Sequence, residues 1–248
     1  MSDIQLCALG VPVRVCIEDI LAPRFVSAWE LCLAEHASET DLVVEQSSSD
    51  DVDSALERLT RDVTRSVIDA NAGRLLMLHA CAVGRPETGE AAVFVGRSGA
   101  GKTTLVQALT EHGWHYLTDE TVGIRADGTK IIEPYPKPLS VVSSSGPKVQ
   151  ALPRGLMSES WRRSSIIPFT VSAVFLLDRG QHSIATVTPL PTARALPPLA
   201  AQSSHLSALR GPLGVLASLA TDANPFRILT YGEASKVPAA LATSWAAP

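Results

Sequence analysis

No pair of cysteines in this 248-residue chain has C-x-x-C spacing; Cys7, Cys16, Cys32 and Cys81 lie far apart. That removes the usual spacing of a zinc ribbon or a dithiol centre and leaves buried free thiols as the expected state. No run of roughly 18 apolar residues occurs, so no segment is expected to span a bilayer and no membrane partner is expected. The start, Met1-Ser2-Asp3-Ile4-Gln5, has neither the basic region nor the apolar stretch of a secretory signal, and a cytoplasmic location is the expectation. Basic excess is missing as well. Lys and Arg number 21 against 25 Asp and Glu, a net charge of −4, with a pI near 5.9. Nucleic-acid binders carry a basic footprint, so no nucleic-acid partner is expected.

What is present begins with 46% hydrophobic residues, enough for a sizeable core. Residues 4 to 18 alternate between apolar and polar positions around Gly10 and Pro12, which predicts two strands. A helix is predicted over Phe25 to Glu35 and a strand over Asp41 to Gln46. Ser47 to Asp51 forms a turn able to cap a helix running to about Ala70, in which Leu56, Leu59, Val63 and Val67 recur at spacings of three and four. Asn71-Ala72-Gly73 stops it. Residues 1–72 are thus expected as a small N-terminal β/α layer packed on a larger core of residues 73–248.

That core opens with Leu75 to Val83, a continuous apolar run broken only by His79 and suited to a buried strand. A turn from Gly84 to Glu90 leads to the strand Ala91-Ala92-Val93-Phe94-Val95. Then comes Gly96-Arg97-Ser98-Gly99-Ala100-Gly101-Lys102-Thr103-Thr104, which fits G-x-x-x-x-G-K-[ST] without a mismatch. The glycines let successive N–H groups point into one concavity, Lys102 can reach the β- and γ-phosphates, and the Thr103 hydroxyl can ligate Mg²⁺. Thr103 to Leu109 continues as a helix whose N-terminus faces the same phosphates. Strand, loop and helix stand in the order that the motif requires, so a triphosphate nucleotide with Mg²⁺ is the implied ligand.

One helix and one strand later, Trp114 to Thr118 delivers the acids Asp119 and Glu120, and Val122 to Arg125 runs on to a turn at Ala126-Asp127-Gly128. Lys130 to Pro138 is proline-rich and is expected as an extended surface segment. Residues 143–165 read as a polar, mobile region and a candidate lid. Val171 to Leu177 is a buried strand. Ala185 to Pro198 carries prolines at 189, 191, 197 and 198; a helical segment from Leu199 to Ala220 broken at Gly211-Pro212, a strand at Phe226 to Tyr231 and a closing helix from Glu233 to Trp245 follow. The arginines of Trp161-Arg162-Arg163 and Arg179 read first as solvated positions and second as cations for transition-state charge.

Leu78-His79-Ala80, Gly96 to Thr104, Thr118-Asp119-Glu120 and Pro134-Tyr135-Pro136-Lys137-Pro138-Leu139 together resemble the HPr kinase/phosphorylase family and its small stand-alone relatives. The resemblance implies an α/β fold with the P-loop core shared with the PEP carboxykinases, a mixed sheet, and transfer of the γ-phosphate of ATP to a hydroxyl of a small molecule, peptide or protein. Carried onto this chain, it implies that Lys102 and the amides of Gly96, Ser98, Gly99, Ala100, Gly101, Thr103 and Thr104 hold the phosphates. Thr103, Asp119 and Glu120 then attend the metal, Asp119 is the general base, and His79 lies near the transferring phosphate. Glu120 stands where the family has Asp. The family's downstream glycine-rich motif with a glutamate and an arginine has no copy here, which withdraws support from reverse phosphorolysis and from HPr as the substrate. The parent family assembles into oligomers, so a homo-oligomer is left open. An ATPase, with water as acceptor, and a nucleotide-binding scaffold are the other readings.

Overall fold

The computed structural model describes residues 1–34, 42–46, 51–142, 148–151, 168–221 and 225–245. In chain order the elements begin β1 (Ser2–Ala8), β2 (Val11–Ile17), α1 (Ala22–Ala28), β3 (Val43–Glu45), α2 (Val52–Ala70), β4 (Leu75–Arg85), β5 (Glu90–Val95) and α3 (Lys102–Thr110). They continue with β6 (His115–Thr118), β7 (Thr121–Arg125), β8 (Ile132–Glu133), β9 (Leu139–Val142), β10 (Lys148–Ala151), β11 (Thr170–Arg179) and β12 (Thr186–Leu190). The last are α4 (Thr192–Ala201), β13 (Ser203–Ser204), α5 (Pro212–Ala217), β14 (Phe226–Tyr231) and α6 (Val237–Ser244). The protein is α/β with a mixed multistranded sheet, as expected. It divides into two compact units, Met1–Asn71 with Pro134–Gly155, and Ala72–Glu133 with Leu156–Pro248. The stretch 134–155 therefore sorts with the N-terminal segment and not with the core that follows residue 72.

In the smaller unit β1 and β2 form an antiparallel hairpin with Ala8 opposite Val11, and β3 runs parallel to β2. Leu9 and Gly10 both have positive φ, at 50° and 69°, as a tight two-residue turn between twisted strands requires. Asp51 caps α2 by accepting from the Ser54 amide at 2.9 Å, and hydrogen bonds from the Ser54 side chain first and its amide second hold the Asp51 carboxyl below the usual range. Leu56, Leu59, Val63 and Val67 form the buried stripe of α2. Each fully buried aliphatic side chain of this kind stabilises by about 1.5–3 kcal/mol. The proline-rich segment departs from its expected surface course. Tyr135 is fully buried against Trp29, its hydroxyl bonded to Thr64 at 2.7 Å, and Lys137 is 1% exposed. Pro136 and Pro138 bring no N–H that burial would leave unpaired, which lets irregular backbone enter a core.

The larger unit is built on β4. Ala80–Arg85 pair antiparallel with β5 on one edge, where Met77 and Leu78 meet β13; on the other edge Ala82–Gly84 pair with β6 and Leu75–His79 with β7. Its neighbours change on both edges at His79 and Ala80. There β5 gives way to Gly96, and β6 gives way to Asp119 and Glu120, with the Ala80 amide donating to the Glu120 carbonyl at 3.1 Å. Beyond β5 lie β11 and β14, parallel to it, and then antiparallel β12 at the edge, in the order β12-β14-β11-β5-β4-β7-β8. The end of a parallel strand where neighbours diverge is where an open α/β sheet leaves room for a ligand.

Several boundaries differ from the sequence reading. α1 starts at Ala22 and ends at Ala28 rather than spanning 25–35, because Pro23 suits a first turn and the apolar positions past Trp29 form no single stripe. β4 runs through Gly84, where a turn was expected; a Cβ there would overlap the Phe169 ring, so this glycine serves a close approach inside a strand. α4 starts at Thr192 and contains Pro197 and Pro198, with Ala195 and Leu199 buried; packing outweighs the lost amide donors. Pro189 sits on β12, an edge strand, where a missing N–H costs little. β10 falls inside the stretch expected to be mobile and pairs with β9. The rest of the lid candidate, including Trp161-Arg162-Arg163, lies outside the described residues.

Candidate functional site

The chain leaves β5 at Val95 and enters the loop through buried Gly96, where a Cβ would stand 2.9 Å from that of Ala100. Gly99 and Gly101 take φ of 81° and 84°, a region that other residues adopt only under strain. α3 begins at Lys102, so the first-turn amides of Lys102, Thr103 and Thr104 have no partner within the helix and open towards the loop. The Lys102 side chain, 7% exposed, curls into the concavity, where Nζ donates to the carbonyls of Gly96 at 2.7 Å and Arg97 at 3.1 Å. Burial pushes its pKa down; Cys81, Glu120 and Asp119 act in the opposite sense.

On the β4 side of the loop, Thr103 Oγ1 donates to Asp119 Oδ2 at 2.9 Å, and the Tyr116 hydroxyl donates to Oδ1 at 3.2 Å. Asp119 is 5% exposed, and Tyr116 is fully buried beneath it. A short strand with a buried tyrosine three residues before the acid thus fixes the carboxylate against the first turn of α3. His79 lies on β4 opposite Thr121, half-buried, its amide donating to the Gln202 carbonyl at 2.6 Å. Burial first and the Lys102 charge second push its pKa below the ordinary histidine value, while Glu120 and Asp119 pull it up. Cys81, two residues on and fully buried, has a thiol pushed strongly up by burial, with Lys102 and Asp119 both close enough to affect it. It is an inert neighbour of the lysine.

The other side of the loop meets β11 and β14. The Tyr231 hydroxyl donates to the Ala100 carbonyl at 2.8 Å, and burial pushes its pKa up to about 12. A Cβ on Gly101 would lie 2.9 Å from Nη1 of Arg179 and 3.2 Å from the Tyr231 hydroxyl oxygen. Between this flank and α4 opens a cavity of about 760 Å³, with Gly96 to Ala100 on one wall, Leu176, Leu177 and Ile228 on another, and Arg97, Arg179 and Arg194 around it. Its size suits a small organic ligand.

The structure brings Lys102, Thr103, Asp119, Glu120 and His79 to the single place where β4 changes neighbours, and Gly96, Ser98, Gly99, Ala100 and Gly101 form the loop over it. Thr104 is exposed on the first turn of α3. Tyr116 and Tyr231 escaped the sequence reading. Tyr116 carries only the weak signal of a polar tip in a buried strand beside an acid, and Tyr231 reaches the loop from 131 residues away. Among the described residues no group of three or more His, Cys, Asp and Glu side chains is gathered to hold a metal alone, and no helix is long and apolar enough to cross a membrane. No protein-family model matches the chain, and no curated protein is significantly similar to it in sequence.

Proposed function

We propose that this protein is an ATP-dependent kinase with an HPr kinase-like P-loop core, which transfers the γ-phosphate of Mg-ATP to a hydroxyl of a small molecule, peptide or protein. The observation that carries this reading is the 2.9 Å bond between Thr103 and Asp119, beside the Lys102 ammonium in its glycine loop. Two motifs separated by a helix and a strand converge on one point, as phosphate and metal handling demand.

The residues fit the nucleotide. The loop concavity already holds a cation against two carbonyls, and the first turn of α3 supplies amides with no partner inside the helix, while the Ala100 amide is engaged within the loop by the Arg97 carbonyl at 3.1 Å. Thr103, Asp119 and Glu120 offer oxygen alone, which suits Mg²⁺ shared with phosphate oxygens. When bound there, Mg²⁺ would offset charge on the transferring phosphoryl group. Lys102 would exchange its loop carbonyls for phosphate oxygens. Asp119 would take the proton of the acceptor hydroxyl as the acceptor oxygen bonds to phosphorus and the bond from phosphorus to the ADP oxygen breaks. An ionised carboxylate accepts about four hydrogen bonds, so holding Thr103 and Tyr116 is compatible with that duty. His79 can offer a ring N–H to the transferring group.

The test is to incubate the purified chain with γ-labelled Mg-ATP and host-cell extract, with the Asp119→Asn protein as control. A kinase puts label on a defined acceptor; in the variant that transfer falls by about 10²–10⁴-fold while Mg-ATP still binds. Label appearing only as free phosphate would replace the kinase by an ATPase. Equal transfer by both proteins would remove Asp119 from its role.

A further inference from the structure

Arg179 ends β11, alongside the phosphate loop, and its place there is tight. Its Nη1 occupies the space that a side chain at Gly101 would need, so the guanidinium lies over the residue immediately before Lys102. The strand sets this approach. β11 pairs parallel with β5 up to Leu176 opposite Val95, and three more residues carry it past the point where β5 turns into the loop. On the other side β11 stays paired to β14 through Arg179 opposite Tyr231, the residue whose hydroxyl holds the Ala100 carbonyl. Arg179 and Tyr231 thus leave neighbouring strands at the same level and land on adjacent loop residues.

The guanidinium has donors to spare. Among the described residues it makes one hydrogen bond, from Nε to the Gly232 carbonyl at 3.4 Å, and no carboxylate forms an ion pair with it. That leaves both terminal nitrogens without a hydrogen-bond partner among the described residues, beside the loop. An arginine is charged at every working pH, and its planar fork matches phosphate oxygens in pairs. A solvated arginine has no need to pack against a left-handed glycine.

We infer that Arg179 is a phosphate-binding residue of the loop, a second cation facing the polyphosphate of the bound nucleotide from the flank opposite Asp119. This rests on the nucleotide reading above. The anion is the polyphosphate rather than an acidic group of the acceptor, because the guanidinium lies on the loop at Gly101 and not on the far wall of the neighbouring cavity. The site is thus lysine from within and arginine from the β11 side, with the carboxylates on the β4 side.

Equilibrium binding of ATP, inorganic tripolyphosphate and adenosine, with Mg²⁺ present, tests it on the full chain, on Arg179→Ala and Arg179→Lys, and on Arg65→Ala, in the smaller unit, as a control for the loss of one exposed charge. Arg179→Ala should weaken ATP and tripolyphosphate by about ten- to a hundredfold, as loss of a charged hydrogen bond predicts, and leave adenosine unchanged. Arg179→Lys should restore part of the loss, and Arg65→Ala should behave as wild type. Equal ATP affinity in wild type and Arg179→Ala would overturn the assignment while leaving the nucleotide reading intact. An equal loss for adenosine and ATP would also overturn it, by placing Arg179 on the nucleoside. Failure of the wild-type chain to bind ATP or tripolyphosphate would bring down the nucleotide reading, and this assignment with it.

Discussion

On its β4 flank the phosphate loop faces Asp119, Glu120 and His79, buried or half-buried and held by Thr103, Tyr116 and backbone. On its β11–β14 flank it faces an exposed arginine and the tip of a buried tyrosine. The first flank is acidic and already internally bonded. The second is cationic, and its main donors point to water. Buried carboxylates fixed by hydroxyl donors suit a task in which geometry must not change, such as holding a metal and receiving a proton. An exposed guanidinium suits the capture of charge that arrives from solution. Under the proposed function the two flanks would divide chemistry from binding, and substitutions should separate them.

Lys102 belongs to both flanks, so its removal should have the largest effect. In Lys102→Ala the central cation is lost together with the two bonds that close the loop on Gly96 and Arg97. Loss of one charged hydrogen bond costs about 1.5–3 kcal/mol, and here cradle and charge go together. ATP affinity should fall at least about a hundredfold, measured by calorimetric titration. Retained affinity would mean that neither flank serves a nucleotide.

Gly101→Ala is the sharper probe of the second flank. The new Cβ would meet Arg179 and Tyr231, in a backbone conformation of φ 84° that alanine resists. Overpacking of this kind costs about 1–3 kcal/mol, and either the loop or Arg179 must move. Thermal unfolding should drop by several degrees and ATP affinity should weaken, while Gly99→Ala, with the same backbone conformation but open space around it, should lose less. Equal losses at the two glycines would show that backbone strain alone matters and that Arg179 and Tyr231 exert no grip on the loop.

How far each flank could be read from sequence follows from the same contrast. Asp119, Glu120 and Lys102 fall within one helix and one strand of each other, so a local motif search finds them, and strand–loop–helix order foretold the direction of α3. Arg179 and Tyr231 come to the loop from strands far along the chain, through parallel pairing that no periodicity encodes. Hydrophobic alternation likewise placed β1, β2 and the stripe of α2. It failed where tertiary packing overrode local chemistry. Pro197 and Pro198 stood ahead of a helix expected from Leu199 and lie inside α4, Gly84 read as a turn and lies under Phe169, and Tyr135 read as surface and lies against Trp29. In each case the deciding neighbour is remote in sequence.

The smallest expected effect concerns pH and belongs to the acidic flank. Burial lowers the pKa of His79, with the Lys102 charge as the second cause, and burial lowers that of His115 on β6. In the unfolded chain both rings titrate near the ordinary value of about 6.5. Between their folded pKa values and about 6.5 the unfolded state binds more protons, so stability is fully present above that window and falls as pH drops through it. Denaturant unfolding at pH 7 and at pH 5 should show this loss in the wild type. His79→Gln keeps a polar side chain of similar reach and removes the titration, so the difference between the two pH values should shrink, with the part due to His115 remaining. A pH dependence unchanged by His79→Gln would mean that the His79 ring is as well solvated as in the unfolded chain, and that the acidic flank is less closed around Lys102 than the bonds of Thr103 and Tyr116 imply.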